Sequence, residues 1–285
     1  MKNLLLIGLF AITFCNMGTN AQTKTRKKGI LLITFGTSYP EARKAFENIE
    51  QKVKTLWPDV DIYWAYTSGF IRKKLAKQGI QIDSPSEALA KMGEAGYTHV
   101  AAQSLHIIPG SEFHDVVHTV KGFSLVQKGL EKTTMGRPLV SEHEDLERIA
   151  LFFTKQFPIA TDEEAVVLMG HGTHHDANIY YPGFQYYLND LSDRYFVATV
   201  EGYPSLDNVI KQLKKEHIQK VTLTPFMSVA GDHAQNDMAG KEKDSWKSQL
   251  EAEGIEVDIV MKGLAEYDEV VKIWIDHLKE AFDEL

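Results

Sequence analysis

Apolar and polar positions along the chain fall into two alternating textures. Apolar runs of strand length end in glycine or proline, and between them lie stretches with apolar residues at helical spacing. The first run, "GILLITFGTS" from Gly29, has the continuous apolar character of a parallel strand buried on both faces. Over Pro40 to Leu56 the apolar residues Ala42, Ala45, Phe46, Ile49, Val53 and Leu56 then recur on one helical face. "DIYWAYTS" predicts a second strand, Ser86 to Ala95 a helix capped by Ser84 or Ser86, and "HVAAQSLHIIPG" a third strand ending at Pro109-Gly110.

The second half repeats the order. "AVVLMGHGTHH" predicts a strand and turn, Tyr180 to Leu191 a helix, and "YFVATVEGYPS" a strand ending near Glu201. Leu206 to Glu216 reads as an amphipathic helix, "KVTLTPFMSVAGDH" as a strand reaching Gly231, "IEVDIVMKG" as a fourth strand and Tyr267 to Phe282 as a closing helix. "TFGTS" rhymes with "GHGTH", and "SLHIIPGSE" with "TPFMSVAGDH". Strands alternating with helices give parallel sheets, so the fold class is α/β: two similar domains, residues 28–160 and 161–285, with a cleft between them. The polar "FPIATDEE", Phe157 to Glu164, is the natural boundary.

Ligands of such sheets sit outside the carboxyl ends of the strands. Three polar residues of the second half fall there: His171, Glu201 and His233. Two imidazoles and a carboxylate converging on one point form a common first shell for zinc, iron(II) or cobalt(II), with positions left for a substrate. In the first half Phe35 stands where His171 does, Ala65 roughly where Glu201 does, and Glu112 roughly where His233 does. The second half is thus equipped for chemistry and the first for shaping the cleft. His174 and His175 are supporting candidates. His114 and His118, spaced i, i+4, share a helix face that reads as solvated rather than metal-binding. Asp232 or Asp237 would orient His233 from behind. Tyr39, Trp64, Tyr66, Phe113, Tyr180, Tyr181 and Phe184 flank the strand ends and suit a flat apolar ligand.

Composition narrows the function. The chain has 285 residues, is 44% hydrophobic and 25% charged, and carries a formal charge of -8, which argues against a nucleic-acid partner. "GHGTHH" starts like a phosphate loop but has His175 in the third glycine slot and no Walker lysine, so no nucleotide is expected. Lys2, the apolar "LLLIGLFAITF" and small residues up to Ala21 predict a signal peptide, residues 1–21, cleaved after Ala21, and a periplasmic location. A lipid anchor on Cys15 is disfavoured by Phe14, because such sites want a small residue there. Cys15 is the only cysteine, so the exported chain would hold no disulfide, cysteine-bound metal or thiol nucleophile.

"MGHGTHH", "VEGYPS" and "PFMSVAGDHAQNDM", in that order and with "FGTS" and "QSLHIIPGSEF" before them, resemble the CbiK-type anaerobic cobalt chelatases that act on sirohydrochlorin, in the class II chelatase superfamily. The resemblance runs from about Lys28 to the C-terminus. It implies two Rossmann-like domains and metal ligands at His171, Glu201 and His233. It also implies Glu112 as a proton handler on the opposite wall. The implied reaction is ATP-independent insertion of Co²⁺, with Fe²⁺, Ni²⁺ and Zn²⁺ as alternatives for the same site, into a sirohydrochlorin-like tetrapyrrole in cobalamin or related metabolism. His171, His233 or Glu112 would accept the pyrrole protons, since imidazoles and buried carboxylates can be tuned near neutral pH. Arg43 or Arg72 would meet substrate carboxylates. The export signal supports a second reading, a haem-, tetrapyrrole- or metal-binding protein for haem or iron uptake without turnover. A two-lobed solute-binding protein fits the duplication but not the one-sided His, Glu and His. Either a single chain or a homo-oligomer is compatible with the pattern.

Overall fold

The computed structural model describes residues 26–126 and 129–285. The expected signal peptide and Cys15 lie outside the described residues. Among the described residues, eight strands form two four-stranded, all-parallel sheets of identical order. The first contains β1 (Lys28–Thr34), β2 (Asp61–Tyr66), β3 (His99–Ser104) and β4 (Lys132–Gly136), arranged β2-β1-β3-β4. The second contains β5 (Glu164–Gly170), β6 (Tyr195–Thr199), β7 (Lys220–Pro225) and β8 (Glu256–Ile259), arranged β6-β5-β7-β8. The interior strands β1 and β5 are buried on both faces, as their continuous apolar runs require.

Nine α-helices connect the described strands: α1 (Pro40–Leu56), α2 (Gly69–Ala76), α3 (Pro85–Glu94), α4 (Ser111–Leu125), α5 (His143–Gln156), α6 (Tyr180–Leu191), α7 (Leu206–Lys215), α8 (Trp246–Ala252) and α9 (Asp268–Asp283). Ser84 caps α3 in a full capping box with Glu87, satisfying the free N–H groups of its first turn. Alternate strand residues divide among three clusters. Leu31 and Ile33 pack outward with α3 and α4, and Val167 and Met169 pack outward with α7 and α8. Ile30, Leu32, Val166 and Leu168 face a single shared core that also holds α1, α5, α6 and α9.

The sheets fall on either side of residue 160, but the last helix of each half crosses over. α9 packs on β3 and β4 of the first sheet, where Thr134 donates to the Ala281 carbonyl at 2.6 Å, and Phe282 meets Trp57, just past the end of α1, with ring centroids 5.2 Å apart. α5 in turn lies along α6. Its Phe153 meets Phe184 and Phe226 at 6.1 and 5.7 Å, and Tyr195 of β6 donates to the Phe157 carbonyl just past its end at 2.6 Å.

Candidate active site

The two halves use the same backbone hydrogen bonds to shape their strand ends, so equivalent positions can be read directly. After β1 and β5 the chain turns at Gly36 and Gly172, with φ of 96° and 79°, in the left-handed region that glycine tolerates. A Cβ on Gly172 would stand 2.7 Å from the Gly202 nitrogen, so this turn also needs glycine for close approach. Phe35 and His171 immediately precede these turns. Ser68 N–H donates to the Phe35 carbonyl at 3.2 Å, and Glu201 N–H to the His171 carbonyl at 2.8 Å. Ser68, not Ala65, is therefore the counterpart of Glu201. Ala65 is a fully buried strand residue, and the Ser68 side chain caps α2. Matching turns, Gly110 N–H to Ile108 O at 2.8 Å and Gly231 N–H to Val229 O at 3.0 Å, precede Glu112 and His233, which are true counterparts.

The carboxyl ends of the two sheets face each other. Tyr39, at the start of α1, donates to Asp232 beside His233 at 2.8 Å, and the His114 and His175 rings approach to 5.4 Å. His171 and His233 meet edge to face, 4.7 Å between centroids. His171 Nδ1 lies 2.8 Å from the Gly172 carbonyl, and His233 Nδ1 lies 2.5 Å from Asp237. Carbonyl and carboxylate only accept, so each Nδ1 carries a proton, and in the neutral imidazole each Nε2 then keeps its lone pair. That is the state in which an imidazole binds a cation. His233 itself heads a single π-helical turn, Ala234–Met238, which brings Asp237 round beneath the ring. Tyr181 sits buried under the His171 turn. Burial pushes its phenol up to about 12 against the opposing pull of the Gly172 and His171 backbone, so it stays neutral.

Glu201 departs from the expected convergence. Its backbone is tied to His171, but its side chain is exposed, and among the described residues no three His, Cys, Asp or Glu side chains are gathered as a metal would hold them. The structure brings the two imidazoles together and ties Glu201 to His171 through the backbone alone.

Across the cleft Glu112 is held by its own partners. Thr67 Oγ1 donates to its Oε2 at 2.9 Å, and His106 Nε2 lies 3.3 Å from the same oxygen. Burial opposes its charge, but these hydrogen bonds and the nearby His106 and His171 hold the carboxyl below the ordinary carboxylate range. Glu112 is thus an anion at neutral pH, not a carboxyl tuned towards it. The sequence pattern gives His106, Thr67 and Ser104 no role. Their only signal is the "SLHIIPGSE" rhyme, whose other copy puts Met227 at the place of His106.

The remaining candidates separate cleanly. His175 accepts from Ala177 N–H at 3.1 Å and caps a short 3₁₀ turn, while His174 and His118 are exposed. Arg72 pairs with Glu87 at 3.3 Å, whereas Arg43 makes no ion pair among the described residues. Tyr66, Tyr181 and Phe184 belong to the core. The exposed apolar side chains on strand-end segments are instead Phe35, Phe70, Ile179 and Tyr203.

A sequence profile of the family described as cobalt chelatase (CbiK) matches residues 28–283. The chain belongs to this family. As a cobalt chelatase family member it is 39% identical over 260 residues to the sirohydrochlorin cobaltochelatase CbiKC of Nitratidesulfovibrio vulgaris, covering 91% of this chain and 92% of that one. It is 38% identical over 259 residues to the sirohydrochlorin cobaltochelatase of Salmonella typhimurium, covering 90% and 97%. The chelatase fold is also that of the sirohydrochlorin chelatase SirB of Bacillus subtilis subspecies spizizenii, solved in complex with cobalt. The two share 12% identity with a TM-score of 0.62 over 90% of this chain and 96% of that one. SirB of Bacillus subtilis solved with Fe³⁺ gives a TM-score of 0.60 at 14% identity, over 90% and 95%. The class II chelatase fold and family expected from the motifs are both borne out.

Proposed function

We propose that this chain inserts Co²⁺ into sirohydrochlorin, the reaction named for its relatives in Nitratidesulfovibrio vulgaris and Salmonella typhimurium. The observation that carries the proposal for this chain's own residues is the pair His171 and His233, whose rings meet at one sheet edge with both Nδ1 atoms taken up by acceptors, opposite an ionised Glu112. The cation is a substrate. His171 and His233 hold it, Glu201 swings in from the margin as third ligand, and the remaining positions are left to water and then to pyrrole nitrogens. Insertion of a divalent cation expels two N–H protons. Glu112 takes a proton on the face opposite the histidines, and an imidazole freed from the cation takes the second. Phe35, Phe70, Ile179 and Tyr203 offer apolar faces to a flat ring, and Arg43 a charge for its carboxylates. This donor set accepts Fe²⁺, Ni²⁺ and Zn²⁺ as well.

The test is anaerobic insertion followed by the tetrapyrrole absorption spectrum, with Co²⁺, Fe²⁺, Ni²⁺ and Zn²⁺ in parallel. The double variant His171→Ala/His233→Ala is expected to lose at least about 100-fold in rate, the low end for general acid–base groups. Equal rates in the variant and the parent sink the catalytic role. Stoichiometric retention of haem or tetrapyrrole without insertion supports the carrier reading instead. We further propose that the chain works in the periplasm after cleavage behind Ala21, on the strength of its charged start, short apolar run and small residues. Protein recovered from the periplasmic fraction is expected to begin at Gln22. Retention of Met1 in a cytoplasmic pool overturns this.

A further inference from the structure

The proton acceptor of the opposite wall has support of its own. Ser104 is fully buried at the end of β3, and its hydroxyl lies 2.8 Å from His106 Nδ1 while accepting the His106 N–H at 3.2 Å. His106 Nε2 then meets Glu112 Oε2, which also takes the Thr67 hydroxyl. Only one arrangement of protons satisfies every contact when Glu112 is ionised and His106 is neutral. The carboxylate accepts, so His106 Nε2 carries the hydrogen, and its bare Nδ1 takes the single hydroxyl hydrogen of Ser104. Oε2 is saturated by two donors. Oε1, which accepts no hydrogen bond among the described residues, is left as the proton-receiving atom.

We propose that His106 is a positioning residue for the insertion reaction: through Ser104 it is fixed as an Nε2–H donor that holds Glu112 by Oε2 and leaves Oε1 to receive the proton. This rests on the assignment of Glu112 as proton acceptor. The backbone of His106 is secured independently of its ring, since its carbonyl accepts from Leu139 N–H at 2.9 Å and from the Trp274 indole of α9 at 3.3 Å. Side-chain replacements therefore leave the segment in place. The groups facing the Glu112 carboxyl are His106, Thr67 and, across the cleft, His171.

The experiment compares His106→Leu, which removes the donor, with His106→Gln, whose amide nitrogen reaches the same point. For insertion, His106→Leu is expected to lower kcat by roughly 10- to 100-fold, the usual cost of removing a supporting partner, with KM for cation and tetrapyrrole within about twofold. His106→Gln is expected to recover most of the loss. A second readout needs no turnover: in protein carrying ¹³C-labelled glutamate carboxyls, the Glu112 signal should titrate at higher pH in His106→Leu than in the parent or His106→Gln. An unchanged Glu112 titration in His106→Leu overturns the proposal, whether or not insertion is observed. So does a His106→Gln variant as slow as His106→Leu. A parent chain without insertion activity but with the Glu112 titration shift intact would remove the chelatase reaction and leave the positioning contact standing.

Discussion

Asp145 of α5 and His277 of α9 meet at 2.9 Å where the two exchanged helices cross, with 4% and 2% of their side chains exposed. Burial raises the cost of charging Asp145, yet His277 and the Ser141 backbone and hydroxyl outweigh it and hold its carboxyl below the ordinary range. A depressed carboxyl contributes stability that is complete above its unfolded value, about 3.9, and is lost as pH falls through the lower folded value. Asp145→Asn removes one partner of a buried pair, a change that costs about 3–5 kcal/mol. Thermal unfolding at pH 7 should show a Tm lower by on the order of 10 °C, and the gap from the parent should narrow near pH 3. A gap that is unchanged at pH 3 would rule out the ionised carboxyl as its source. Neither residue of this pair was legible beforehand, because nothing in a sequence says which two helices will cross. His171, Glu201, His233 and Glu112 were legible because strand ends are, and glycine-punctuated apolar runs mark strand ends. What the sequence could not carry is side-chain direction: Glu201 has the right backbone place and an exposed side chain.

Among elements, α1 and α6 occupy the ranges their periodicity predicts, and α3, α7 and α9 differ by a residue or so. Those helices present one apolar stripe to a sheet. β7 is shorter than expected because Phe226 to Ala230, apolar but for Ser228 and largely buried, form a loop rather than a strand. Their backbone is paired by Leu264 and Ala265, whose N–H groups donate to Met227 and Ser228. Burial alone makes a loop and a strand look alike in sequence. β4, "KTTMG", escaped notice for the opposite reason: a five-residue edge strand with two adjacent threonines and a single large apolar residue carries almost no apolar signal. The short helices α2 and α8 span too few turns for periodicity to register. α5 is amphipathic and could have been read as a helix. Its destination could not, since the apolar face that includes Phe153 is covered by the other half.

At the scale of the molecule, the duplication visible in the motifs is matched strand for strand, and the exchange of α5 and α9 makes the halves mutually dependent. Residues 161–285 alone would leave Phe184 and Phe226 without Phe153, and residues 28–160 alone would leave β3 and β4 without α9. Each piece expressed separately is therefore expected to be insoluble or to lack a cooperative unfolding transition, whereas co-expression should yield a soluble complex. A cooperatively folded 161–285 fragment would contradict this dependence. Two like units that trade their last helix have the layout of a domain-swapped dimer whose subunits have been fused into one polypeptide. A true homodimer must place identical side chains at symmetric positions on both walls of its groove. Fusion lifts that requirement, and only then can Phe35, Ser68 and Glu112 stand on one wall while His171, Glu201 and His233 stand on the other.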